Sequence, residues 1–104
     1  MVHARSCFID ADASSGTGFV NVPPCRLAAV EYRVPDDVTF DATVVCDGAT
    51  LFTKSGASNV DGLQQVDGNP AITGELELQA ASIFGGSEGA QIVVTFLVDF
   101  GGDG

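Results

Sequence analysis

Several residue types are scarce in this chain of 104, and each scarcity narrows what the protein can be. There is no tryptophan and one tyrosine, Tyr32, so the exposed aromatic platform on which sugar ligands stack is hard to assemble. Basic residues number four against 14 acidic ones, for a formal net charge of −10. Nucleic-acid affinity comes largely from Lys and Arg displacing condensed counterions, so direct DNA or RNA binding is not expected. Histidine occurs once, as His3; the three cysteines, Cys7, Cys25 and Cys46, are widely spaced and form no C-x-x-C pair. An odd number of scattered thiols supports neither a disulfide framework nor a zinc site, and Cys7 and Cys46 fall within apolar strand patterns, as small buried hydrophobes do. No run of about 18 apolar residues exists, so no membrane partner is expected. The opening MVHARSCFIDADASS lacks the basic start and long apolar segment of a signal peptide, so synthesis and folding in the cytoplasm are expected.

Catalytic and metal-binding patterns are equally sparse. Asp10-Ala11-Asp12-Ala13-Ser14 opens like a calcium loop, but an EF-hand requires Gly at its sixth position and a bidentate carboxylate at its twelfth, where this chain has Ser15 and Asn21. Glu75 and Glu77 share a strand face and could imitate an acid/base pair; acid/base catalysis calls for a carboxyl group set in a cleft, and alternation puts both on the solvated side. No nucleophile motif accompanies His3, and neither a G-x-S-x-G elbow nor a P-loop occurs. These readings give no catalytic residue, no metal site and no cofactor.

What the chain does have is apolar residues, 45% of the total, with 13 glycines and four prolines to make turns. This is the composition of one globular domain, too short for two cores. The hydrophobic period is two almost throughout. In VTFDATVVCD (38–47), Val38, Phe40, Ala42, Val44 and Cys46 alternate with Thr39, Asp41, Thr43 and Asp47; in ITGELELQ (72–79), Ile72, Leu76 and Leu78 alternate with Glu75, Glu77 and Gln79. Further strands are expected at 5–10, 25–34, 49–54, 82–84 and 91–100. Turn signals separate them at Val34-Pro35-Asp36-Asp37, Asp47-Gly48, Ser55-Gly56, Asp67-Gly68-Asn69-Pro70 and Gly85 to Gly89. The sole helical candidate, NVDGLQQV (59–66), carries Gly62 at its centre. Six or seven short strands without a useful helical period predict an all-β antiparallel sandwich, Ig-like or jelly-roll-like. Residues 1–24 read as a first strand and an extended N-terminal arm, 25–100 as the sandwich body, and 101–104, GGDG, as a flexible tail.

The stretch QIVVTFLVDF (91–100) poses a packing question. Ile92, Val94, Phe96, Val98 and Phe100 share one face, while Val93 and Leu97 make the other face apolar too, although antiparallel sheets normally leave one face wet. Val93 and Leu97 therefore call for cover, from the N-terminal segment, a neighbouring copy or another protein. The arm adds Phe19, Val20 and Val22 ahead of a Pro-Pro pair that favours extended backbone. These five residues are the candidates for partner contact, and trimming 1–24 is expected to weaken association while sparing the fold.

The segment P-A-I-T-G-E-L-E-L (70–78), the glycine-rich turn at 85–89 and A-Q-I-V-V-T-F (90–96) resemble the C-terminal half of small β-rich virion proteins of tailed bacteriophages. R-L-A-A-V-E-Y (26–32) and V-T-F-D-A-T (38–43) are similar to their preceding strands, so the likeness covers 26–100. It implies a structural protein: a capsid decoration (cement) protein on the outer capsid surface that bridges major capsid protein subunits, acting as a homo-oligomer such as a trimer, or else a neck, head-tail connector or tail component. A net charge of −10 favours the outer surface, away from packaged DNA. A different class, an Ig-like module holding a sugar or calcium in the loops at 10–15 or 61–69, is the alternative.

Overall fold

A computed structural model describes residues 2–66, 68–86 and 89–99. The described residues form seven strands: β1 (Val2–Asp10), β2 (Gly16–Arg33), β3 (Thr39–Cys46), β4 (Ala49–Ala57), β5 (Leu63–Gln65), β6 (Ala71–Phe84) and β7 (Gln91–Asp99). All pairings are antiparallel, in the order β1-β7-β2-β6-β3-β4, with β5 beside β2. The chain is an all-β, sandwich-like protein.

The long strand β2 converts one sheet order into two layers. Eighteen residues at about 3.3 Å each would run roughly 59 Å, whereas the longest axis of the molecule is 44 Å. The strand therefore bends, at register shifts between Val22 and Cys25 and between Leu27 and Ala29. The first shift falls on Pro23-Pro24, which cannot donate to a ladder. β2 pairs with β6 from Gly16 to Arg26, and from Arg26 onward it pairs with β7 on one edge and, at Ala29 to Glu31, with β5 on the other. One layer is thus β1-β7-β2-β5 and the other β2-β6-β3-β4, a strand changing layers at bulges as sandwich corners do.

This corrects the expectation for the N-terminal segment. Residues 16–24 are extended but are not a separate arm: they pair with β6 from Gly16↔Ala80 to Val22↔Gly74, and β1 pairs with β7 along its whole length. Alternation turns Gly18, Val20 and Val22 towards the core and Phe19 outward. The strand expected at 82–84 is the end of β6, which continues through Ser82 at φ 53. The helical candidate at 59–66 is one 3-10 turn, Asn59–Asp61, followed by β5. Asp47-Gly48 makes the two-residue hairpin its sequence promised: both residues have positive φ, 52 and 80, and Cys46 pairs directly with Ala49. Phe100 and the tail at 101–104 lie outside the described residues.

Between the layers lies a core built from the inward faces of every long strand, including Leu27, Val30, Phe40, Leu76, Leu78, Ile92, Val94 and Phe96. Tyr32 on β2 meets Phe40 on β3 edge-on, with ring centroids 6.2 Å apart, and its hydroxyl donates to Gln64 Oε1 at 2.9 Å. Burial, with the nearby Asp61 carboxylate adding to it, pushes the Tyr32 phenol up to about 12. Burial alone pushes the Cys7 thiol up to about 11. Both groups keep protons in the folded state that the unfolded chain releases earlier. Their contribution is complete below the ordinary values, near 9 and 10, and is lost as pH rises to about 11 and 12. Stability is expected to fall across that window, and Tyr32→Phe to remove the upper part of the fall when urea midpoints are compared at alkaline pH.

Candidate functional site

The outward face of the β1-β7-β2-β5 layer answers the packing question. Cross-strand register sets three rows: Phe8, Val93 and Arg33; Ser6, Thr95, Glu31 and Leu63; Ala4, Leu97, Ala29 and Gln65. Thr95 is buried because its hydroxyl bonds to that of Ser6 at 2.8 Å and strands flank it on both sides. Val93 and Leu97 are half-buried by those lateral neighbours, and no further element of the described chain lies over them. Phe8 and Leu63 extend the apolar surface, 61% and 52% exposed. Neighbours within the layer supply part of the cover and leave the rest open.

The electrostatics of this face differ from those of the molecule. Its middle carries one carboxylate and one guanidinium, Glu31 and Arg33, which pair at 3.5 Å and cancel. The chain as a whole carries −10. Solvated acidic residues dominate elsewhere: Asp36 and Asp37 on the β2–β3 turn, Asp41 on β3, Asp47 on the hairpin, and Glu75 with the half-buried Glu77 on β6. Charge depletion around apolar anchors is the compositional mark of the centre of a protein interface.

The five residues expected to contact a partner are not brought together. Val93 and Leu97 lie on this face. Phe19, 52% exposed, stands on the outward side of the opposite layer, facing Glu77 across the β2–β6 ladder. Val22 is a core residue at 5% exposure, which takes it off the surface, and the half-buried Val20 turns inward and packs against the core. Phe8 and Leu63 escaped the sequence reading. Phe8 alternates with Cys7 and Ile9 in a short strand, and only knowledge that β1 pairs with β7 reveals that it shares a face with Val93.

The three cysteines are free and buried. Cys25 and Cys46 line one apolar cleft of about 330 Å³ below the β3–β4 hairpin, with Leu51 and Ile72. Burial pushes the Cys25 thiol up, Cys46 adds to this and Arg5 opposes it. Cys46 Sγ donates to the Thr73 carbonyl at 3.5 Å. Asp10 and Asp12 are exposed on either side of the buried Ala11, and among the described residues no three His, Cys, Asp or Glu side chains gather where they could hold a metal ion. Gln79 Nε2 donates to Glu77 Oε2 at 3.0 Å on the solvated side of β6. No helix among the described residues is long and apolar enough to cross a membrane. Compared with known proteins, the chain matches no family model and no curated protein sequence.

Proposed function

We propose that this chain is a non-enzymatic structural protein of a tailed-phage virion, which binds the outer surface of the capsid and bridges neighbouring major capsid subunits. The observation that carries this reading is the apolar patch of Phe8, Val93 and Leu97 on a sheet face whose central charges, Glu31 and Arg33, pair with each other, on a molecule of net charge −10. Such a face suits contact with another protein, and the acidic remainder suits a position away from packaged DNA. A homo-oligomer, a trimer in the analogy with cement proteins, would bring several such faces to one capsid junction. The reading involves no cofactor, nucleic acid or membrane.

Removing the protein from particles and measuring their resistance to heat and osmotic shock tests the reinforcing role: weakened particles are expected, and unchanged ones would refute it. Copy number separates a capsid coat, present in hundreds, from a neck or tail component, present in small symmetric sets. The surface itself is tested by Val93→Glu with Leu97→Glu. The pair should destabilise by roughly 2 to 4 kcal/mol for two half-buried positions, leaving the chain folded by circular dichroism while abolishing rebinding to stripped particles in a sedimentation assay.

A further inference from the structure

The two sides of the sandwich are closed differently. On one side β1 lies against the first half of β2, and two glycines let them approach: a Cβ on Gly16 would stand 2.7 Å from Ile9 Cγ2, and one on Gly18 2.9 Å from Cys7 Cβ. On the other side β4 and β5 end their respective layers and share no ladder. A hollow of about 330 Å³ separates them, lined by Leu51, Phe52 and Thr53 on one bank and Gln64, Gln65 and Val66 on the other. Beside it Lys54 Nζ meets Asp61 Oδ1 at 3.4 Å. Leu51 and Phe52 pack against the core yet remain half-exposed, so the interior opens to solvent where a strand is lacking.

We propose that this open side takes up one extended segment of a partner protein, which adds as a strand to the free edge of β4 and covers Leu51 and Phe52. The edge backbone of β4 supplies the hydrogen-bonding row that such a segment completes, and alternate side chains of the incoming strand enter the hollow. Charge selects the occupant. Asp41, Asp47 and Asp61 surround the strand, and its one cation, Lys54, is already paired with Asp61. An incoming segment with flanking Lys or Arg is therefore favoured at this edge, whereas the β4 edge of a second copy, with its own Asp41, Asp47 and Asp61, is repelled there. The inference rests on reading the chain as a protein-binding module, but its test needs no particle, so its failure and failure of the capsid reading are separate results.

The test is hydrogen exchange of the full chain with and without an excess of a synthetic octapeptide that alternates Val and Thr between terminal lysines. Exchange across Ala49–Ala57 is expected to slow by about tenfold or more, with β1 unchanged and no effect from a control peptide carrying Pro at alternate positions. Phe52→Lys and Gln65→Lys, each checked for native circular dichroism, should lose that protection. Unchanged exchange in β4, or equal slowing in β1, would overturn the proposal. Protection of β4 that appears without peptide and grows with protein concentration would overturn it in favour of a second copy.

Discussion

Deleting residues 1–24 is expected to abolish cooperative folding. The segment contributes β1, which covers one edge of β7 from Val2↔Asp99 to Asp10↔Gln91, and the half of β2 that edges β6. It also supplies Cys7, Ile9 and Val22 to the core, all nearly fully buried. At about 1.5 to 3 kcal/mol for each buried side chain, these three represent roughly 4 to 9 kcal/mol, comparable with the total stability of an ordinary domain, about 5 to 15 kcal/mol. The truncated chain should show no cooperative thermal transition by circular dichroism. A truncated protein that melts like the full chain would restore the idea of a detachable arm and remove β1 from the account.

The second large effect is expected at Phe96. Its side chain is completely buried at the middle of β7, in register with Arg5 on β1 and Val30 on β2. Phe96→Ala leaves a closed cavity between two layers and should cost about 3 to 5 kcal/mol, lowering the urea midpoint by at least about 1 M for a domain of this size. Leu97→Ala, one residue on and on the opposite face, should cost only roughly 1 to 2 kcal/mol, since a half-buried side chain forfeits part of its transfer energy and leaves an open dent rather than a void. Equal costs at the two positions would mean that β7 has no distinct inner and outer face.

The difference between these neighbours shows how much was legible in the sequence. A two-residue period with turn residues at regular intervals specified an antiparallel all-β sandwich, because alternation and tight turns are local properties. It also marked Val93 and Leu97 as surplus to a one-sided strand. What it left hidden was non-local. Nothing in GTGFVNVPPCRLAAVEYR says that one strand continues through Pro23-Pro24; the prolines read as the end of an arm, whereas a bulge absorbs their missing donors and lets β2 cross between layers. Gly16 and Gly18, small residues near the start, prove to be points of close approach between β1 and β2. Phe8 joined the candidate face only through the β1–β7 register, and Val22 left the candidate set because alternation along the β2–β6 ladder turned it inward.

The turn at Gly85-Gly86 carries a similar lesson. Its glycines read as generic hairpin material, yet a Cβ on Gly85 would stand 2.0 Å from the Asp37 carbonyl oxygen, and one on Gly86 1.7 Å from that of Ala11. Both neighbours are backbone, which cannot swing aside as a side chain would. Gly86→Ala is accordingly expected to destabilise by about 1 to 3 kcal/mol through forced backbone displacement, measurable as a lowered melting temperature. Adding a methyl group to an exposed glycine with open space around it, such as Gly48, removes no contact and costs only the strain of its positive φ.

The proposed function places contact with other protein on one surface of this acidic molecule. Hydroxyl-radical footprinting of the chain free and bound to virus particles tests that most directly. Phe8, Val93, Leu97 and Leu63 should lose most of their reactivity on binding, while Phe19 and Phe84, exposed on other surfaces, keep theirs. A particle-bound chain whose Phe8 and Leu97 oxidise as fast as in free solution would contradict it.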